Sequence, residues 1–290
     1  MTQIIEKLSD VSANYEALFV DLWGCVHNGV EAFPSAVAAL QDFRKSGGTV
    51  ILVTNAPRSR HHVAKQLVKL GVPEDAYDDI ATSGDSARSA MFLGAVGQKV
   101  WFIGQPHDTS FFEPLKLLEN PVEIEQVSME EAEGIVCCGP EDPMADPEVM
   151  RGPFLYAKQK GMKLLCANPD IVVDRGETRE WCAGALAQLY TEMGGESLYF
   201  GKPHPPIYDL ARRRLSIHRK DVPDSAILAI GDGPHTDIDG AMGEDIDSLF
   251  ISGGLAKADT KTVDQPEPDA LDRYIQSENI SPTYTIGFLR

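Results

Sequence analysis

The chain has 290 residues, enough for one large domain or two smaller ones with a substantial core. Its 43% hydrophobic and 24% charged residues are ordinary globular values, but 26 basic residues against 44 acidic ones give a formal net charge of −18. That charge opposes binding to nucleic acid or to an anionic membrane, and no apolar stretch approaches the ~20 residues of a membrane span. The N-terminus lacks a basic start followed by an apolar core, so no secretory signal is expected. Five cysteines, Cys25, Cys137, Cys138, Cys166 and Cys182, form an odd set without a Cys-x-x-Cys pair. They suit small buried hydrophobes in a reducing cytoplasm, the location expected for this chain, better than a disulfide frame or a zinc site.

Strand and helix patterns alternate along the chain. Ala17-Leu-Phe-Val20 and Thr49-Val-Ile-Leu-Val53 are continuous apolar runs of the kind buried on both faces of a parallel sheet. Between them, Ser35 to Arg44 carries apolar residues at helical spacing and stops at Gly47-Gly48. A second helix is expected after Pro57, ending near Gly71. From about Ser86 the pattern restarts, with strands expected at Lys99–Ile103, Gly134–Cys138 and Lys163–Ala167. The turn Gly139-Pro-Glu-Asp-Pro143 and the acidic Glu123 to Glu133 region punctuate this stretch. After Tyr199-Phe200 the first pattern resumes, with Ser225–Ile230 and Asp247–Ile251 as buried strands, and Asp264 to Asp272 is expected to be a surface loop. The fold class is therefore α/β, a parallel sheet with a second α/β unit inserted between its two halves: a core of 1–85 and 199–290, and an insert of 86–198.

Four short segments each end an apolar run with polar groups: Asp21-Leu-Trp-Gly24, Val53-Thr54-Asn55, Gly201-Lys202-Pro203 and Gly231-Asp232-Gly-Pro-His-Thr-Asp237. None is persuasive alone. Asp21 would project from the carboxyl edge of the sheet, where open α/β folds bind ligands. Strand-terminal aspartates also cap helices and build turns, but Gly24 and the turn signal Asn28-Gly29 favour a loop that wraps a ligand. Thr54 and Asn55 supply a hydroxyl and amides for phosphate oxygens, or an ordinary helix cap. Lys202 ends an apolar run and reads as a cation that neutralises phosphate. Asp232 and Asp237, with Asp21, offer oxygen ligands suited to Mg2+. Together these groups make a parts list for phosphoryl transfer through an aspartyl-phosphate. Competing motifs fail on spacing: Thr236 stands where a dinucleotide fingerprint needs its third glycine, Glu196 stands where a Walker loop needs its first, and no Gly-x-Ser-x-Gly elbow occurs.

With these motifs in this order, the sequence resembles the haloacid dehalogenase superfamily of hydrolases, specifically the NagD-like group with a type-IIA cap. Thr82-Ser-Gly-Asp85 and Ala167-Asn-Pro-Asp170 resemble the same group, and the likeness spans nearly the whole chain. It implies a Rossmann-like core with an inserted cap, Asp21 as nucleophile, and Thr54 and Lys202 on the phosphate. It also implies Mg2+ held by Asp21, the backbone carbonyl of Trp23, Asp232 and Asp237. The activity implied is hydrolysis of a small phosphorylated, sugar-phosphate-like metabolite.

One position departs from the family pattern. Phosphatases of the family carry Asp-x-Asp, whose second Asp protonates the leaving oxygen; here Trp23 stands there, and an indole offers one weakly acidic N–H and no base. General acid–base assistance is worth about 10²–10⁴-fold. His27, in the loop after the nucleophile, is the candidate replacement. Superfamily enzymes with other leaving groups, such as phosphonatases and dehalogenases, and a phosphometabolite-binding module with little turnover remain open alternatives. Substrate recognition is expected from the cap, with Asn168, Asp170 and Arg175 as candidates and Arg179 beside them. For Asn168-Pro169-Asp170 a locally hydrogen-bonded turn is an equal alternative. A homo-oligomer is left open.

Overall fold

The computed structural model describes residues 2–113 and 120–290. The first half of the chain forms β1 (Gln3–Ile4), β2 (Ala17–Val20), α1 (Pro34–Lys45), β3 (Thr49–Thr54), α2 (Arg60–Leu70), β4 (Asp79–Thr82), α3 (Ser83–Phe92), β5 (Lys99–Ile103), β6 (Glu125–Gln126) and β7 (Gly134–Cys137). There follow α4 (Arg151–Gln159), β8 (Lys163–Cys166), β9 (Val172–Arg175), β10 (Thr178–Trp181), α5 (Ala183–Glu192) and β11 (Glu196–Tyr199). The chain ends with α6 (Pro205–His218), β12 (Ile227–Gly231), α7 (Asp239–Gly243), β13 (Asp247–Ile251), α8 (Pro268–Glu278) and β14 (Tyr284–Ile286).

Among the described residues, seven strands pair in the order β1-β14-β13-β12-β2-β3-β4, all parallel. The strand order reverses around β2, whose neighbours β12 and β3 come from opposite ends of the chain. Alternate residues of these strands face opposite layers. Leu18, Val20, Val50 and Leu52 meet Leu40 of α1 and Val63 and Leu67 of α2. Phe19, Ile51, Val53 and Ala229 meet Ile207, Ala211 and Leu215 of α6. Burial on both faces is why these strands read as continuous apolar runs rather than alternating ones.

A second parallel sheet, β11-β8-β7-β5-β6, is built from residues 99–199. Phe154, Leu186 and Tyr190 cover one face of it, and Ala87, Met91 and Phe92 of α3 cover the other. Helix α3 thus starts at the end of β4 in the first sheet and packs on the second. The antiparallel hairpin β9–β10 projects from this unit. The Gly176 amide at its tip donates to the Asn28 carbonyl at 3.1 Å, tying the hairpin to the loop after β2.

The helix expected at Ser35 to Arg44 forms as α1, and the one expected to end near Gly71 forms as α2, with Gly71 at φ +90°. One expectation needs correction. Asp264 to Asp272 is not all loop: α8 begins at Pro268, because proline is tolerated in a first helical turn and the Glu267 carboxylate caps the amides of Asp269 and Ala270. The β9–β10 hairpin was not anticipated either, since its strands, Val-Val-Asp-Arg and Thr-Arg-Glu-Trp, are half polar. No helix among the described residues is long and apolar enough to cross a membrane.

Leu52 is fully buried at the centre of the first sheet, whereas Val68 on α2 is 58% exposed. Leu52→Ala is therefore expected to cost about 2–5 kcal/mol and Val68→Ala less than about 0.5 kcal/mol. Urea unfolding of the two variants checks this, and similar losses for both would contradict the layer assignment.

Candidate active site

Adjacent strands bring distant residues together. Asp21 follows β2, and its amide donates to the Ile230 carbonyl of β12 at 2.8 Å, so Asp21 and Asp232 leave the sheet side by side. Thr54 ends β3 on the other side of β2. Lys202, at the end of the connection from β11 to α6, places its ammonium between Asp21 Oδ1 at 2.5 Å and Asp237 Oδ1 at 2.7 Å. All five groups are buried. Burial opposes a charge on Lys202, but Asp21 and Asp237 overcome it and hold the ammonium well above its ordinary pKa. Burial likewise pushes the Asp21 carboxyl above the usual carboxylate range, against the pull of Lys202.

These groups line a cavity of about 190 Å³ together with Trp23, Gly24, Asp170 and Thr236. Its charge is unbalanced, since Asp21, Asp170, Asp232 and Asp237 face one lysine. Burial, then the charges of Asp21 and Asp237, drive the Asp232 carboxyl far above its ordinary pKa, and its Oδ2 accepts from the Leu255 amide at 3.0 Å. A hard divalent cation would relieve this excess, and an all-oxygen set suits magnesium. Asp21, Cys25 and Asp232 bring potential ligand atoms within 4.8 Å of one another. Burial and the nearby carboxylates raise the Cys25 thiol well above its usual value, which makes it a neutral, weak donor. Asp237 sits one step back, taken by Lys202 and the Gly233 amide. The turn after β2 uses the carbonyls of Leu22 and His27 for its hydrogen bonds and not that of Trp23. Gly24 lies at φ +72°, and a Cβ there would come within 2.1 Å of Asp232 Oδ2, so the loop can close on the carboxylate only as glycine.

Several expected roles change. Asn55 is not free to bind phosphate through its side chain. Its Oδ1 accepts from the Lys202 amide at 2.7 Å, and its Nδ2 donates to the Lys202 carbonyl at 3.1 Å and to Asp170 Oδ1 at 2.8 Å, so it clamps the lysine backbone. Asp170 reaches the cavity, where its Oδ1 is taken by Asn55 Nδ2 at 2.8 Å and burial raises its pKa. Asn168 accepts from the Asp170 amide at 3.0 Å in a local turn and lines a neighbouring chamber, not the Asp21 cavity. Arg175 also lines that chamber, with its Nε on Glu180 Oε1 at 2.9 Å and its guanidinium 5.3 Å above the Trp23 ring. Arg179 pairs with Asp174 at the surface.

His27 does not line the Asp21 cavity. Its ring is buried edge-on against Trp23, its Nδ1 accepts from the Gly29 amide at 3.1 Å, and burial lowers its pKa to about 4. A neutral imidazole with one nitrogen committed in this way is poorly placed to supply a proton at neutral pH, which counts against His27 as the replacement acid.

A parallel-sheet core with a second α/β unit over its carboxyl edge, and buried carboxylates gathered there around one lysine, defines the class of capped hydrolases with a strand-end aspartate. The chain belongs to the haloacid dehalogenase-like hydrolase family. A family model described as haloacid dehalogenase-like hydrolase matches residues 18–117, and a second HAD-like hydrolase model matches residues 199–276. The crystal structure of a haloacid dehalogenase-like hydrolase from Brucella suis is 39% identical, covers 99% of this chain and 100% of its own, and superposes with a TM-score of 0.86. An acid sugar phosphatase from Staphylococcus saprophyticus is 21% identical over 276 residues, 94% of each chain. The 5'-nucleotidase YutF from Bacillus subtilis is 25% identical over 267 residues, 90% of this chain and 98% of its own.

The environment of His27 yields a pH prediction. A folded pKa of about 4 lies below the unfolded value of ~6.5, so the unfolded chain binds the extra proton first. Stability from this group is complete above ~pH 6.5 and is lost as pH falls toward 4. Between pH 7 and pH 5 the loss is expected to be roughly 2 kcal/mol. Denaturant unfolding of His27→Gln should show that acid-side slope flattened by about this amount; an unaltered slope would mean that other groups carry it.

Proposed function

We propose that this chain is a magnesium-dependent phosphatase that hydrolyses a small phosphorylated metabolite through an aspartyl-phosphate at Asp21. The observation that carries the reading is the buried Lys202 ammonium within 2.7 Å of both Asp21 and Asp237, in a cavity with more carboxylates than one lysine can balance. The sugar phosphatase and nucleotidase named above support a phosphomonoester substrate. We assign the core to 1–85 and 199–290 and the cap to 86–198, a division that fits the two sheets. The five cysteines, all buried and free, fit a reducing compartment such as the cytoplasm.

The phosphate enters between Lys202 and Thr54. Lys202 neutralises the charge on its oxygens, and the Thr54 hydroxyl, which accepts from the Ala56 amide at 3.2 Å, keeps its proton to donate to one of them. Asp21 attacks phosphorus in line with the leaving oxygen; the P–O bond to the organic group breaks, and an acyl phosphate forms. The departing oxygen takes a proton from solvent; water then attacks that phosphorus, giving its proton to solvent or phosphate, and the bond from phosphorus to the Asp21 oxygen breaks, which releases inorganic phosphate and regenerates the carboxylate. Asp21, the Trp23 carbonyl and Asp232, with Asp237 behind them, would hold the magnesium ion, whose chemistry is to offset charge on the phosphoryl oxygens. The Trp23 side chain moves no proton. Loss of acid assistance raises the barrier by about 3–5 kcal/mol for leaving groups that need protonation and by much less for aryl oxides. The same tryptophan favours a second reading, a phosphometabolite-binding module with little turnover.

Release of phosphate from p-nitrophenyl phosphate, with and without Mg2+, separates the two. Turnover that requires the metal, falls by at least ~10³-fold in Asp21→Asn and exceeds that of alkyl phosphates supports the phosphatase. Ligand binding with no turnover supports the binding module. Independently, magnesium is expected to raise the melting temperature of the native chain and not that of Asp232→Ala; an equal shift in both would remove Asp232 from the metal site.

A further inference from the structure

A second chamber, of about 120 Å³, opens between the core and the cap beside the Asp21 cavity, and the two share Trp23, Asp170 and Val173 in their walls. One polar atom there lacks a hydrogen bond. Asp108, in the 3-10 turn Pro106–Phe112 after β5, is 5% exposed; its Oδ2 accepts from the Gln105 amide at 3.0 Å, while its Oδ1 is buried without a hydrogen-bond partner, the His107 imidazole lying beside it with Nε2 at 3.4 Å. Across from it, Arg58 of the core, in the loop after β3, holds its Nε 4.0 Å from that Oδ1. This separation is too long for a direct hydrogen bond. A hydroxyl group fits the gap, because it donates to a carboxylate and accepts from a guanidinium at once.

We propose that this chamber receives the organic part of the substrate, and that Asp108 and Arg58, one from the cap and one from the core, bind a hydroxyl of a short polyol. The proposal rests on the phosphatase reading. The phosphoryl group occupies the Asp21 cavity and the carbon chain runs past Trp23 into the chamber. A chamber of about 120 Å³ has room for a short polyol fragment. A chain of the same length without hydroxyls would displace water from the Asp108 Oδ1 and leave that acceptor without a hydrogen bond, so the site disfavours it. Because the pair spans core and cap, the same hydroxyl also bridges the two units when it binds.

The test compares glycerol 1-phosphate with n-propyl phosphate in the presence of Mg2+, using the ratio of their kcat/KM values. That ratio is insensitive to the amount of folded protein and to damage of the aspartyl chemistry, which affect both substrates alike. It is expected to fall by about 10–100-fold in Asp108→Asn, which keeps the acceptor for the Gln105 amide but turns a donor toward the chamber. It should also fall in Arg58→Met, which stands in if the first variant does not fold. An unchanged ratio in both variants overturns the proposal, as does a native ratio near one. If the native chain turns over neither compound, the p-nitrophenyl phosphate assay above decides the phosphatase reading, and the ratio of dissociation constants by calorimetry decides the chamber assignment separately. Tighter binding of glycerol 1-phosphate that is lost in the variants supports the chamber assignment, and equal affinities for the two compounds overturn it.

Discussion

The Lys202 ammonium is the point on which the site depends. It is buried, and a lone buried cation would cost several kcal/mol. It is stable there because it touches two carboxylates, Asp21 at 2.5 Å and Asp237 at 2.7 Å, which themselves need a cation to stay charged. The contact joins three chain segments far apart in sequence and holds the proposed nucleophile at the mouth of the sheet. Asn55 completes the arrangement by bonding the lysine backbone on both sides. The same balance leaves Asp232 without a positive partner. Stability of the folded chain and affinity for a divalent ion are therefore coupled: what the protein leaves unpaired, the metal would pair.

The cap is bound into this centre. Asp170 hydrogen-bonds Asn55, and the hairpin β9–β10 hydrogen-bonds the loop after β2 through Gly176. Arg175 lies over the indole of Trp23, and Trp23 packs on His27. Trp23 is thus a packing surface between core and cap at the position that the proposed mechanism leaves without an acid. In the proposed reaction Trp23 gives up proton transfer for a rigid wall, one that separates the phosphoryl cavity from a chamber with its own polar pair.

The legibility of the chain followed burial. Strands β2, β3 and β12 are buried on both faces and read as unbroken apolar runs, and α1 and α2 end at glycines that leave a helix with positive φ. The hairpin β9–β10 is half exposed and half charged, so its strands carried no apolar signature. The start of α8 was hidden because proline and acidic residues signal a loop when read singly and a first helical turn when read together. His27 had the right chemistry for an acid, but its chemistry depends on solvation, which a linear sequence does not display.

The sequence by itself determined that the chain is α/β and which strand ends carry carboxylates, a hydroxyl and a lysine. These are local properties: residue type, periodicity and the turn chemistry that follows each strand. Only the tertiary structure decided which of those groups meet. It paired Lys202 with Asp21 and Asp237, spent the Asn55 side chain largely on backbone, turned Arg175 toward Trp23, and set Asp108 opposite Arg58. Each of these depends on strand order and on the seating of the cap over the core, that is, on contacts between residues tens to nearly two hundred positions apart, which no local pattern encodes.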